Sequence, residues 1–183
     1  MEKDLSKLIK GCISGDDVLQ KELYDLFAPK MLAVCLRYTK NKQEAEDALQ
    51  ESFIKIFMNI HKFRNEGAIE AWIRRITVNT ALASLRKKIR LYTFDDGMEA
   101  ESDFDSELIL SNLAANDLLE IIQTLPEGYR TVLNLYIFEQ YSHKQISDML
   151  GIAVGTSKSQ LAKARTLLKV KISKKNKYKI NVG

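Results

Sequence analysis

The side chains best suited to do chemistry in this chain are cations, and they come in two blocks. Arg74, Arg75, Arg86, Lys87, Lys88 and Arg90 form the first. Lys158, Lys163, Arg165, Lys169, Lys171, Lys174, Lys175, Lys177 and Lys179 form the second, uninterrupted by any acid. Between them stand Asp95, Asp96, Glu99, Glu101, Asp103, Asp105 and Glu107, with no base among them. Cations grouped this way neutralise a polyanion, and an acidic stretch between the groups is repelled by it. The formal charge of +4 over 183 residues hides this segregation. Solvated helix faces are the competing account of the same charges.

Covalent and metal chemistry have far fewer candidates. Cys12 and Cys35 are the only cysteines, and His61 and His143 the only histidines. That is too few for a disulfide framework, a Cys-rich zinc module or a histidine metal centre. Gly155-Thr156-Ser157-Lys158-Ser159 lacks the GxxxxGK[ST] spacing of a phosphate loop. Cys35 lies in an apolar run and is expected to be a buried small hydrophobe. His143 opens a helix, where contact with backbone or phosphate is expected rather than service as a base. No group of carboxylates looks catalytic, so neither enzymatic activity nor a cofactor is expected.

The elements that must carry the two basic blocks are helices. Apolar residues make up 45% and charged residues 28%, enough for a core and against global disorder. With 8 Gly and 2 Pro there are too few turn residues for an all-β sandwich. Apolar runs such as Met31 to Leu36 and Thr131 to Phe138 fall well short of the roughly 18 residues of a membrane span. Glu2, Lys3 and Asp4 precede only a short apolar stretch, unlike a signal peptide. A cytoplasmic protein is expected, with no membrane partner.

Helical periodicity recurs along the chain. Ala45, Ala48, Leu49, Ser52, Phe53, Ile56, Phe57 and Ile60 make one stripe about four turns long, with Asn41 and Glu44 in a capping arrangement at its start. With that stripe buried, Asp47, Glu51 and Ile54 share another face with Glu44 and Met58. Such a mixture of carboxylates and apolar groups suits a basic partner helix, or simply water. Pro29, inside the pattern from Leu19 to Leu36, is expected to start or kink a helix. A further helix spans Glu70 to Lys88 with Trp72 on its buried stripe. Residues 1–90 thus read as a helical bundle, and 91–112, around Asp95-Asp96-Gly97, as a flexible acidic linker. Periodicity returns near Leu113, passes Ile121, Ile122 and Leu125, and resumes with Val132, Leu133, Tyr136 and Ile137.

The segment 113–172 ends in a helix-turn-helix pattern, followed by a basic tail at 173–183. Ser142-His143-Lys144-Gln145 is a capping box, and Gly151 supplies the left-handed residue that ends the first helix. A second helix is expected from about Thr156 to Leu168. Leu161, Ala164 and Leu168 would point inward, and Lys158, Gln160, Lys163 and Arg165 outward. Two short helices around a glycine-bearing turn, the second one basic, place a recognition helix in a major groove. A helical hairpin with a solvated basic face would show much of the same pattern.

Gly155-Thr156-Ser157-Lys158-Ser159-Gln160-Leu161-Ala162-Lys163-Ala164-Arg165, after Leu125-Pro126 and Tyr141-Ser142, resembles region 4 of the extracytoplasmic-function (ECF) subfamily of bacterial RNA polymerase sigma factors. Alone, this block also fits the DNA-binding domain of a response regulator. The amino-terminal half adds two matches. Ala45 to Phe57 looks like the polymerase-binding helix of region 2. Phe63 to Ala81 is similar to regions 2.3 and 2.4, which hold the opened non-template strand of the −10 element.

The resemblance implies an all-α fold of two small helical domains on a flexible acidic linker, and a function in transcription initiation. It implies that Asp47, Gln50, Glu51 and Ile54 meet the β′ clamp helices of core RNA polymerase, with region 4 at the β flap. Single-stranded −10 DNA would meet Phe63, Arg64, Asn65, Arg74, Arg75 and Asn79. Here arginines would hold phosphates, the Phe63 to Ile69 loop would form a base pocket, and Asn79 would read a base edge. Trp72 is expected in the core rather than as a stacking platform. Strand opening would follow from differential affinity, without nucleotide hydrolysis. Duplex −35 DNA would meet Thr156, Lys158, Ser159, Gln160, Lys163 and Arg165.

Four positions depart from the family pattern. Ala153 stands where serine commonly caps the recognition helix, a loss of about 1 kcal/mol if uncompensated. Ser157 stands where a buried valine is usual, so its hydroxyl needs a partner. Gln160 replaces an arginine able to bind guanine bidentately, and Ile69 replaces a common aromatic. Weakened −35 reading is the expectation, with help from another DNA-bound protein and non-specific phosphate affinity from the basic tail. The paired domains also suit capture by an anti-sigma factor. The competing readings are a one-component helix-turn-helix regulator without polymerase docking and a helical adaptor that binds no DNA.

Overall fold

A computed structural model of the chain describes residues 2–64, 67–89 and 115–182. Among these residues there are eight α-helices and no strand. The chain divides into two compact units, residues 1–83 and 84–183. The linker assigned to 91–112 lies outside the described residues, as does Asn65.

In the first unit α1 (Glu2–Ser14), α2 (Asp17–Tyr38), α3 (Lys42–Asn59) and α4 (Ile69–Ile89) follow one another. Asp16 opens α2 by accepting hydrogen bonds from the backbone of Val18 and Leu19 at 2.9 and 3.1 Å. Asn41 does the same for α3, accepting from Glu44 N at 2.8 Å. The Glu44 carboxylate reaches back to Lys40 N at 3.2 Å, one residue beyond the cap. Of the two expectations for Pro29, a helix start is corrected: it lies inside α2, which spans Asp17–Tyr38. Pro29 and Asp25, whose carbonyl loses its donor, are both exposed, so water can satisfy that carbonyl.

Leu23, Met31, Tyr38, Ala45, Ile56, Ile73 and Leu82 are fully buried and form the core of this unit. Tyr24 packs edge-on against Phe53 with ring centroids 4.6 Å apart. Lys30 and Glu70, 2.7 Å apart, link α2 to α4. Cys12 and Cys35 are buried, and burial pushes the Cys35 thiol up to about 12, as expected of a small hydrophobe.

The second unit contains α5 (Ala115–Gln123), α6 (Glu127–Leu133), a π-helical turn (Asn134–Phe138), α7 (His143–Leu150) and α8 (Val154–Val182). Its apolar core draws on Ile122, Val132, Leu135, Ile146, Leu161, Ala164 and Leu168. Polar groups are built into the same core. Arg130, Thr131, Asn134 and Ser157 are fully buried, and Arg130 donates to Gln123 O at 2.9 Å. The helix α8 starts two residues earlier than the expected Thr156 and continues far past Leu168. At 29 residues it is about 43 Å long. Lys175, near its end, is tied to Asp117 at 2.7 Å and Glu120 at 2.8 Å on α5. No helix among the described residues is long and apolar enough to cross a membrane.

Candidate nucleic-acid interface

The helix α3 separates its two jobs cleanly. Ala45, Leu49, Ser52, Phe53 and Ile56 bury one face. Asp47, Gln50 and Glu51 are exposed on the other. Ile54 and Met58 lie beside them, 60% and 68% exposed. Large apolar side chains so open beside carboxylates are a surface awaiting a partner. Glu51 also accepts from Lys55 Nζ at 2.6 Å, an exposed pair four residues apart.

An open groove of about 350 Å³ runs between α3 and α4, lined by Lys55, Asn59, Lys62, Trp72, Ile76, Asn79 and Thr80. Asn79 is exposed here and brings an amide donor and acceptor to the groove. The expectation for Trp72 is corrected. It is half-buried, lines the groove, and leans on Phe63 with centroids 5.7 Å apart. It sits one position off the fully buried Ile73, at the edge of the stripe, so its large ring spills outward. Arg64 and Arg75 are exposed, and Arg74 is half-buried and engaged with neighbours. Ile69 is buried at the first turn of α4, so it serves the core rather than a loop surface. Lys55, Asn59 and Lys62 were not anticipated, because periodicity within α3 does not reveal which face α4 covers.

In the second unit the capping box forms: Ser142 Oγ accepts from Gln145 N at 3.3 Å, and Ser142 N donates to Gln145 Oε1 at 2.9 Å. Gly151, at φ 68°, makes the left-handed turn into α8. Lys158 is exposed, and Thr156, Ser159, Lys163 and Arg165 are half-buried. The Arg165 guanidinium lies over the Tyr136 ring, 5.8 Å from its centroid.

Gln160, expected to point outward, is instead buried at 7% exposure. Its amide packs against Gly128, where an added Cβ would come within 3.2 Å of the amide nitrogen. The spacing carried that signal: Ser157, Gln160, Leu161, Ala164 and Leu168 form a single i, i+3, i+4, i+7 stripe. His143 is corrected as to its partner within the unit. In place of the backbone contact expected, it bonds Ser157 Oγ through Nδ1 at 2.9 Å and stacks on Tyr136 with centroids 4.7 Å apart. Burial, with Lys158 and Arg165 nearby, holds its imidazole below the usual range.

Family models match both units. The sigma-70 region 2 model matches residues 23–91, and the sigma-70 region 4 model matches residues 115–168. Across nearly its whole length the chain is 30% identical to the ECF RNA polymerase sigma factor SigW of Bacillus subtilis, covering 92% of this chain and 97% of that relative. The chain belongs to the ECF sigma factors. The RNA polymerase sigma-H factor of Pseudomonas aeruginosa is 32% identical over 175 residues, 87% of this chain and 89% of that protein. The sigma factor RpoE of Bartonella quintana, solved with the anti-sigma factor NepR, shares the fold. It superposes with a TM-score of 0.52 at 20% identity, covering 84% of this chain and 96% of that one. As a sigma factor, this protein binds core RNA polymerase and promoter DNA to start transcription, and is not itself an enzyme. The region 4 match stops at Leu168, well before α8 ends at Val182.

Proposed function

We propose that this sigma factor divides initiation between its units: residues 1–90 dock the polymerase and hold the −10 strand, and residues 113–172 read the −35 duplex. The acidic segment 91–112 joins them, and the tail from 173 prolongs α8. Asp47, Gln50, Glu51 and Ile54 meet the β′ clamp helices, and the second unit meets the β flap. The observation that carries this reading is the exposure of Ile54 and Met58 beside Asp47 and Glu51, on a helix whose other face is fully committed to the core. The same acidic, apolar surface suits an anti-sigma factor, the kind of partner with which the Bartonella protein was solved. The work is done in the cytoplasm, at the nucleoid.

In this proposal the groove between α3 and α4 takes the opened −10 strand. Lys55 and Lys62 face its phosphates, Trp72 and Ile76 offer an apolar floor for a base, and Asn79 reads an edge. Phe63, Arg64, Asn65, Arg74 and Arg75 flank it. At −35, Thr156, Lys158, Ser159, Lys163 and Arg165 form the contact surface, while Gln160 belongs to the core. With Ala153 at the start of α8 and no arginine at 160, −35 reading is weak and benefits from a second DNA-bound protein.

The test is co-elution of the full chain with core RNA polymerase on size exclusion, wild type against Asp47→Lys. Binding by the wild type and its loss in the variant is the expected result. A variant that still co-elutes would remove α3 as the docking helix. Failure of the wild type on its cognate core would leave a DNA-binding regulator.

A further inference from the structure

Ser157 is fully buried on the recognition helix, and among the described residues its hydroxyl has one partner, Nδ1 of His143 at 2.9 Å. A buried O–H needs an acceptor. Nδ1 is the only one within reach, so the serine donates and the imidazole carries its proton on Nε2. Stacking on Tyr136 at an interplanar angle of 23° fixes the plane of the ring. Nε2 itself makes no hydrogen bond among the described residues, and His143 is only half-buried. Lys158 and Arg165 on α8 raise the local positive potential at the ring, and Lys144 follows His143 on α7. A ring held in one tautomer at the head of α7, with a free N–H donor beside cations of α8, is a site for an anion.

We propose that His143 binds promoter DNA directly: Ser157 and Tyr136 lock its ring so that Nε2–H, together with Lys158 and Arg165, holds one backbone phosphate beside the −35 element. The inference rests on the assignment of α7 and α8 to the −35 duplex. It gives a role to Ser157, since the valine usual at that position could not select the tautomer. The contact also responds to pH. A bound phosphate favours the imidazolium, so the complex takes up a proton and affinity rises as pH falls through the histidine range. On protonation Nδ1–H turns donor, and the serine oxygen becomes its acceptor.

The experiment uses holoenzyme reconstituted from the full chain and core RNA polymerase, on a duplex selected by that holoenzyme from a pool randomised at the −35 position. Backbone phosphates across the element are replaced one at a time by neutral methylphosphonates. One replacement should weaken wild-type binding several-fold yet cost His143→Ala nothing further. The salt dependence of His143→Ala should be shallower by about one phosphate contact. Wild-type affinity should rise between pH 8 and pH 6, and the rise should vanish in His143→Gln, which does not titrate. Equal losses for wild type and His143→Ala at every phosphate, or a flat wild-type pH profile, would overturn the inference. The pH profile is read on wild type alone, so it holds even where a variant folds poorly. Lys163→Ala separates the two levels. If it weakens binding while no phosphate distinguishes His143, only this inference fails. If neither it nor any phosphonate matters, the −35 assignment fails as well.

Discussion

The helices α3 and α8 both present a working face, but they relate it to the core in opposite ways. On α3 the side chains proposed to dock and the buried stripe occupy different sides, and Asp47 and Ile54 are exposed. On α8 the two jobs interleave residue by residue. Ser157 is buried, Lys158 exposed, Ser159 half-buried and Gln160 buried. The neighbouring core is correspondingly polar, with Arg130, Thr131 and Asn134 fully enclosed. The difference teaches that polymerase docking can be altered without touching stability, whereas DNA reading and folding are coupled in the second unit.

The strongest way to break this comparison is Arg130→Ala. Arg130 is fully buried, and its removal leaves Gln123 O short of a donor and opens a cavity. A loss of about 3–5 kcal/mol from the second unit is expected in chemical denaturation, followed by loss of −35 binding. An unchanged midpoint would show that the polar core is not structural. Asp47→Lys is the counterpart on α3. Its docking defect should leave the denaturation midpoint of the first unit within about 0.5 kcal/mol of wild type, as for an ordinary surface change. A larger shift would mean that α3 does not separate its faces after all.

A smaller effect sharpens the contrast from within α8. Gln160 Oε1 is buried with no hydrogen-bond partner among the described residues. Replacing the amide by an isosteric apolar group removes that unsatisfied oxygen, so Gln160→Leu should be neutral or stabilising by up to about 1 kcal/mol. Its DNA affinity should stay within about twofold of wild type, as expected for a substitution outside the contact surface. A marked loss of −35 selectivity would return Gln160 to the interface.

Most of the helical framework was legible in the sequence because capping and periodicity are local. Asn41, Ser142 and Gly151 act on their own helix ends, and the stripe of α3 needs no knowledge of its neighbours. A helix start at Pro29 was the wrong one of two alternatives, because the cost of its missing donor depends on whether the orphaned carbonyl sees water. The groove was half legible. Asn79 was found by resemblance, but Lys55, Asn59 and Lys62 join it only once α3 and α4 are set side by side. Gln160 is a different kind of miss. Its position on the buried stripe was readable, and the expectation that it points outward followed residue type over spacing. The pairing of Ser157 with His143 links positions 14 apart on two helices, beyond the reach of any local pattern.

The smallest effect is also the most discriminating. Burial, then Lys158 and Arg165, lowers the His143 pKa in the folded protein. The folded second unit therefore binds fewer protons than the unfolded chain. The sign follows from linkage: this part of its stability is present above the ordinary histidine value and is lost as pH falls below it. Thermal unfolding of the full chain between pH 7.5 and 5.5 should show the second unit's midpoint falling with acid, and falling less steeply in His143→Gln. DNA affinity should move the other way, rising with acid, because a phosphate reverses the preference of the same ring. A histidine that merely fills space gives the first trend without the second. Opposite slopes in one protein, one abolished and the other reduced by a single substitution, are what a locked phosphate donor requires.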